Sequence, residues 1–311
     1  MIIFGPVPSR RLGQSVGINN IPPKACSYSC VYCQIGRTDK MQIKRSEFYK
    51  PEDILRQTKV KMAELNRENE HVDYLTFVPD GEPTLDKNLG VEVDMLKQFG
   101  IKIAVITNAS LLWMDDVRKD LMKADWVSVK IDAVQDNIWR RIDRPQGSLS
   151  ISKIMKGAID FAEEFKGTFV TETMLVEGLN DDKECLHGIA KHISHLKPSK
   201  SYLLVPTRPP AEAVVRKPSK ESIRDAYDII HKESGVEVEC ITGDEGDSFY
   251  FTDKITDDLL SITSVHPIRE AVINKILEDR HLDRSVTDQL VDKKLISSYI
   301  YEGKRFFKRN I

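Results

Sequence analysis

Apolar and polar positions along this chain follow two rhythms that take turns from about residue 14 to residue 205. Short apolar runs, "SVGINNI" (15–21), "VDYLTFV" (72–78), "IKIAVIT" (101–107), "WVSVKIDA" (126–133), "TFVTETMLV" (168–176) and "SYLLVP" (201–206), read as strands. Between them apolar residues recur at helical spacing, as do Ile54, Leu55, Met62 and Leu65 in "PEDILRQTKVKMAELNRE" (51–68), where a proline opens the helix. Further helices are predicted near 87–99, 115–123, 151–166, 182–196 and 219–234. Six strand-plus-helix units predict an α/β fold with a parallel sheet; six rather than the eight of a closed barrel predict a partial (β/α)6 TIM-type barrel. In such sheets the reactive loops lie beyond the C-terminal ends of the strands. The unusual tetrads "DGEP", "TNAS", "KIDA", "VEGL" and "PTRP" all fall at those ends.

The rhythm changes after "VEVECITGDEGDSFYFTD" (236–253), in which "GDEGD" (243–247) reads as a solvated turn. "HPIREAVINKILED" (266–279) reads as a helix, and "SVTDQLVDKKLI" (285–296) as another with Ser285 as its cap. "SSYIYEGKRFFKR" (297–309) alternates around "EGK" like a short hairpin. Two helices and a hairpin resemble a winged helix-turn-helix module. The expected organisation is therefore a barrel domain over 1–255 and a small winged-helix-like domain over 262–311, with the boundary near 256–264.

Composition adds exclusions. No apolar run approaches the length of a bilayer span, and "MIIFGPVPSRRLG" is too short and too rich in Pro and Gly for a signal peptide. With five cysteines and no secretion signal, the expectation is a cytoplasmic protein without membrane contact. A formal net charge of −2 means that nothing global demands a nucleic acid, so such a partner must be argued from local charge.

Local chemistry is concentrated in "KACSYSCVYCQIG" (24–36), which holds Cys26, Cys30 and Cys33 as CxxxCxxC. Three sulfurs cannot close a tetrahedral zinc site, and an odd number cannot all pair as disulfides. A [4Fe–4S] cluster takes one thiolate per iron, so three cysteines leave one iron free for a small ligand. A zinc knuckle completed by a distant histidine is the competing reading. Cys185 and Cys240 sit in helical and strand patterns and read as buried, inert thiols.

The spacing resembles that of the radical SAM superfamily, in which the open iron chelates the amino and carboxylate groups of S-adenosylmethionine. The cluster then passes an electron to the sulfonium to release a 5′-deoxyadenosyl radical. The resemblance implies that Cys26, Cys30 and Cys33 are the metal ligands and that Tyr32 lies beside the adenine. "DGEP" (80–83) stands where the superfamily carries a Gly-Gly-Glu-like motif. This implies that Glu82 pairs with the methionine ammonium and that Gly81 gives the ligand access to the backbone; Asp80 departs from the pattern. "TNAS" (107–110) resembles a third-strand "TNG", so Thr107 and Asn108 are candidates for the carboxylate or ribose. Lys130 and Asp132 share a face of the fourth strand's end and are candidates for carboxylate and ribose, with pairing to each other as the alternative. Leu175 and Val176 would pack on the adenine, or belong to the core. "FGPVPSRRLGQSVGINNIPPKACSYSCVYCQIG", "PDGEPTLD", "ITNASLLW", "VKIDA" and "VPTRPPAE" further resemble a branch of Fe–S oxidoreductases grouped with wyosine-synthase-like tRNA modifiers. The second cysteine set of wyosine synthases is absent here.

Three features address the substrate. Arg10 and Arg11 in "PSRRLG" and Arg208 in "PTRPP" are candidates to meet an anionic group, with a basic turn and a structural ion pair as alternatives. Residues 291–311 carry Lys293, Lys294, Lys304, Arg305, Lys308 and Arg309 against Asp292 and Glu302, interleaved with Tyr299, Tyr301, Phe306 and Phe307. A basic, aromatic wing fits an RNA or DNA backbone, and winged helices also bind proteins. The expectation is a radical SAM enzyme acting on RNA, with tRNA foremost. A protein or peptide substrate is the alternative, and an iron–sulfur sensor on DNA the non-enzymatic one. The superfamily resemblance also implies an electron donor such as ferredoxin or flavodoxin.

Overall fold

A computed structural model describes residues 2–78, 80–243, 249, 251 and 255–310, with Val265 described by its backbone alone. Residues 244–247 of the "GDEGD" turn therefore lie outside the described residues. The six expected strands are present as β2 (Gly13–Ile18), β5 (Tyr74–Phe77), β6 (Lys102–Thr107), β7 (Trp126–Lys130), β8 (Thr168–Met174) and β9 (Lys200–Leu204). They form a parallel run in chain order, which β1 (Ile3–Ser9) extends antiparallel beside β2 and β10 (Val238–Ile241) extends in parallel beside β9. The sheet thus has eight strands in the order β1-β2-β5-β6-β7-β8-β9-β10, two more than the rhythm predicts. Both extra strands sit at the edges, where only one neighbour shapes the pattern. A two-residue pair, β3 (Ala25–Cys26) with β4 (Lys40–Met41), closes the cysteine loop.

Helices α1 (Pro51–Arg67), α2 (Leu89–Leu96), α3 (Asp115–Leu121), α4 (Asp136–Ile142), α5 (Ile151–Glu164), α6 (Lys183–Leu196) and α7 (Lys220–Ser234) make the crossovers. α1 buries Ile54, Thr58, Met62 and Leu65, three or four residues apart, against the sheet. Asp182 and Ser219 cap α6 and α7 by accepting from the Cys185 and Ser222 amides at 3.0 Å each. α7 ends at Gly235, whose φ of 68° suits a residue without Cβ. Strand alternation splits the apolar side chains between two layers. Val105, Val127 and Leu203 pack outward against the helices, while Ala104, Trp126, Val170, Tyr202 and Leu204 fill the inner face. Among the described residues no helix is long and apolar enough to cross a membrane.

The expected boundary at 256–264 is instead part of a helix, α8 (Ile255–Val265), which packs against both β1 and the last strand of the chain. The predicted helix 266–279 begins as a strand, β11 (Ile268–Arg269), before α9 (Glu270–Asp279). α10 (Ser285–Asp292) and the hairpin β12 (Ile296–Tyr301) and β13 (Lys304–Arg309) follow, and the three strands pair in the order β11-β13-β12. Leu259, Ile262, Val272, Ile273, Leu277, Leu290 and Phe307 form a core of their own. The terminal hairpin does not present all its basic and aromatic residues to solvent. Phe306 and Phe307 are buried, Lys308 and Arg309 are half-buried, and the exposed set is Lys293, Lys294, Tyr299, Lys304 and Arg305.

Candidate active site

The cysteine loop is held from both sides. Ser29 and Val31 donate their amides to Asp143 and Ile142 carbonyls at the end of α4 (3.0 and 2.9 Å), and Gln146 donates back to Ser27 (2.9 Å). On the other side Glu82 donates its amide to the Ala25 carbonyl (3.1 Å), and Lys24 donates to Asp80 (2.6 Å). A Cβ on Gly81 would lie 1.9 Å from the Ala25 oxygen. That glycine is required by the loop packed upon it, independently of any ligand. Within the loop Cys33 donates to Cys30 and Gly36 to Cys33 (3.1 and 3.2 Å), tight turns that hold Cys30 and Cys33 together.

All three loop cysteines are free and half-buried. Burial pushes Cys26 up to about 12, with the Glu82 charge adding to it. Burial and then Asp143 hold Cys30 well above its ordinary value, and burial raises Cys33. Such thiols become thiolates only where a metal replaces the proton. A [4Fe–4S] cluster offers each thiolate its own iron, so three free cysteines on one loop are a donor set that fits it.

Glu82 is 1% exposed. Its Oε1 accepts from the Thr84 amide (3.1 Å), the Thr84 hydroxyl (2.6 Å) and the Thr107 hydroxyl (2.6 Å), and its Oε2 from the Asn108 amide (2.7 Å). Burial raises it, and these bonds counter the rise. The carboxylate thus ties the end of β5 to the end of β6, with one lone pair of Oε2 left over. Asn108 reaches the cysteine loop: its side-chain amide donates to Ser27 Oγ (2.9 Å) and lies 3.5 Å from Cys26 Sγ.

Tyr32 donates to Asp132 and lies 3.4 Å from Asp143, whose Oδ1 is 3.3 Å from Cys30 Sγ. Asp132 also accepts from the Met174 amide at 2.7 Å. Burial raises both carboxyls, Asp143 further because Asp132 stands beside it. Lys130 does not bond Asp132. It pairs with Glu172 (3.4 Å), its register partner on β8, and lies 5.6 Å from the Tyr32 ring centre. Arg11 joins the same carboxylate at 2.5 Å and Ser128 donates to it at 2.7 Å. Burial works against the Glu172 charge, but Arg11 and Lys130 hold it below the usual carboxylate range.

A cavity of about 310 Å³ opens over the inner face, walled by Tyr32, Cys33, Asp80, Lys130, Glu172 and Arg208 among others. Arg11 also lines it, whereas Cys26, Cys30, Gly81, Glu82, Thr107, Asn108, Asp132 and Val176 do not. Val176 is buried beside Val31 and Tyr32, and Leu175 belongs to the outer core. Arg10 is exposed, with a guanidinium nitrogen 3.1 Å from where a Cβ on Gly243 would be. Arg208 is buried and lies 3.4 Å from Gln34 Oε1. Cys185 is buried and Cys240 half-buried.

Sequence reasoning missed Asp143, Glu172 and the cavity-facing Asp80. Glu172 had a signal, a carboxylate in the middle of an apolar strand; Asp143, in "RIDRP", had none. Asp80 is 3% exposed, and burial pushes it up to about 7.

The model of the Radical SAM superfamily matches residues 20–187. A UPF0026 protein of Methanocaldococcus jannaschii is 45% identical over all 311 residues, covering 96% of that protein. A UPF0026 protein of Synechocystis is 36% identical over 67% of this chain and 76% of its own. Among solved structures, a radical SAM methyltransferase from Sphaerobacter thermophilus superposes with a TM-score of 0.57 over 73% of this chain and 66% of that one, at 16% identity.

Proposed function

Because the chain belongs to the radical SAM superfamily, we propose that Cys26, Cys30 and Cys33 hold three irons of a [4Fe–4S] cluster and leave the fourth to S-adenosylmethionine. Enzymes of this superfamily use that cluster and that cosubstrate: the cluster supplies an electron, and S-adenosylmethionine the group that takes hydrogen from substrate. The protein is accordingly an enzyme, and the DNA-sensor reading is set aside. The carrying observation is three free, half-buried thiols on one short loop, of which Cys33 lines the cavity. Glu82, with its remaining lone pair, is the proposed acceptor for the methionine ammonium, and Gly81 carries it into place. Thr107 and Asn108 fix that carboxylate. Lys130 offers its charge to the methionine carboxylate, Tyr32 a face to the adenine with Val176 behind it, and Asp132 orients the Tyr32 hydroxyl.

The proposed substrate is an RNA nucleoside. The cavity suits a group of that size, and the C-terminal module exposes Lys293, Lys294, Lys304, Arg305 and Tyr299. Arg11 and Arg208 line the cavity as candidates for an anionic group of the substrate, and exposed Arg10 for a backbone phosphate outside it. A ferredoxin or flavodoxin is the proposed reductant, and the cytoplasm the proposed compartment.

The test is anaerobic reconstitution, then reduction with S-adenosylmethionine and chromatography for 5′-deoxyadenosine, with and without tRNA. Product that any one cysteine substitution abolishes and that tRNA stimulates is expected. Product stimulated by a protein fraction instead would overturn the RNA assignment and favour a peptide substrate. Absence of product from protein with a full cluster, under every addition, would overturn the chemistry itself.

A further inference from the structure

The last strand of the chain, β13, delivers a charge to the cysteine loop. Period-two alternation puts Phe306 and Lys308 on one face of β13 and Phe307 on the other, in the module's own core. The face carrying Phe306 turns toward the barrel. Phe306 is 2% exposed and packs edge-on against Tyr301, whose hydroxyl donates to the Pro206 carbonyl after β9 (3.2 Å). Two residues on, the Lys308 ammonium ends 3.5 Å from where a Cβ on Gly36 would stand, three residues past Cys33. The side chain is half-buried, and among the described residues it makes no hydrogen bond or ion pair. The titratable groups nearest it are the Cys33 thiol, Lys24 and Asp80. A half-buried lysine bonded to no carboxylate is stabilised by an anion placed beside it.

We infer that Lys308 is an electrostatic partner of the loaded cysteine loop, supplied by the C-terminal module to raise the reduction potential of the cluster. The inference rests on Cys26, Cys30 and Cys33 being the cluster ligands. Three thiolates and the cluster they hold carry net negative charge, which grows by one on reduction. A fixed cation at the loop therefore stabilises the reduced state more than the oxidised one. The module is then part of the cluster's surroundings as well as a substrate-binding face.

The full-length protein, reconstituted anaerobically with iron and sulfide and without S-adenosylmethionine, is titrated with dithionite while the reduced cluster is followed by electron paramagnetic resonance. Lys308→Met and Lys308→Gln should each shift the midpoint to more negative values at unchanged iron content, and Lys308→Arg should restore it. A purely structural lysine would leave the midpoint in place whatever it did to thermal stability. An unchanged midpoint in either fully loaded neutral variant overturns the inference alone. A wild-type protein that binds no four-iron cluster overturns the ligand assignment, and this inference with it.

Discussion

At the scale of single residues, the site is built from groups that hold each other. Cys30 is expected to be indispensable: Cys30→Ala should reduce bound iron after reconstitution to near background, and full iron retention would remove it from the ligand set. Glu82 carries two tasks. Glu82→Ala strips the acceptor from the buried Thr84 amide, the half-buried Asn108 amide and two hydroxyls, a loss of about 2–3 kcal/mol. Thermal melts should show that loss, and calorimetry a weaker S-adenosylmethionine affinity in the protein that remains folded. Affinity equal to wild type would assign the ammonium to another acceptor. CxxxCxxC and "DGEP" were visible in the chain because their spacing is local. That Glu82 spends half of its carboxylate bonds on the end of β6 was not, since Thr107 and Asn108 lie 25 and 26 residues away.

Single elements show the same limit. α2 carries Glu92 into the core, 1% exposed, with Asn20 and Asp86 as its polar neighbours. Burial, and then the neighbouring Asp86, push it well above its ordinary 4.5, to about 9. The native state therefore keeps a proton that the unfolded chain releases from about pH 4.5 upward, and stability is lost as pH rises through that window. Denaturant unfolding should show wild type weakening by roughly 2–4 kcal/mol between about pH 5 and pH 8, and Glu92→Gln flattening that decline. Parallel slopes in the two proteins would mean that Glu92 does not hold the proton. α5 offers a steric case. A Cβ on Gly157 would come within 2.4 Å of the Leu112 carbonyl group, so Gly157→Ala should cost about 1–3 kcal/mol as the helix is pushed off the loop. Helical periodicity shows which face of α5 is buried, but not how closely its partner approaches.

For the whole molecule, the decisive arrangement is the C-terminal module standing over the barrel. Its exposed basic residues, Lys293, Lys294, Lys304 and Arg305, are the ones to test for RNA contact, because Lys308 and Arg309 face inward or are partly covered. Replacing those four by Ala should weaken tRNA binding and flatten its dependence on salt, while leaving S-adenosylmethionine cleavage without substrate unchanged. Filter binding at several salt concentrations would check this, and an unaltered slope would place any RNA contact elsewhere.

Strand and helix rhythm, six parallel units and a three-cysteine loop at a strand's C-terminal end are local properties, so the fold class is legible in the chain itself, and the cofactors in the superfamily that its CxxxCxxC spacing resembles. The pairing of Lys130 and Arg11 on Glu172, the Asp132–Tyr32–Asp143 contact and the approach of Lys308 to the cysteine loop join residues far apart in the chain. No periodicity encodes such meetings. They depend on which strand ends the sheet brings side by side and on where the last hairpin docks, and only the tertiary structure decided them.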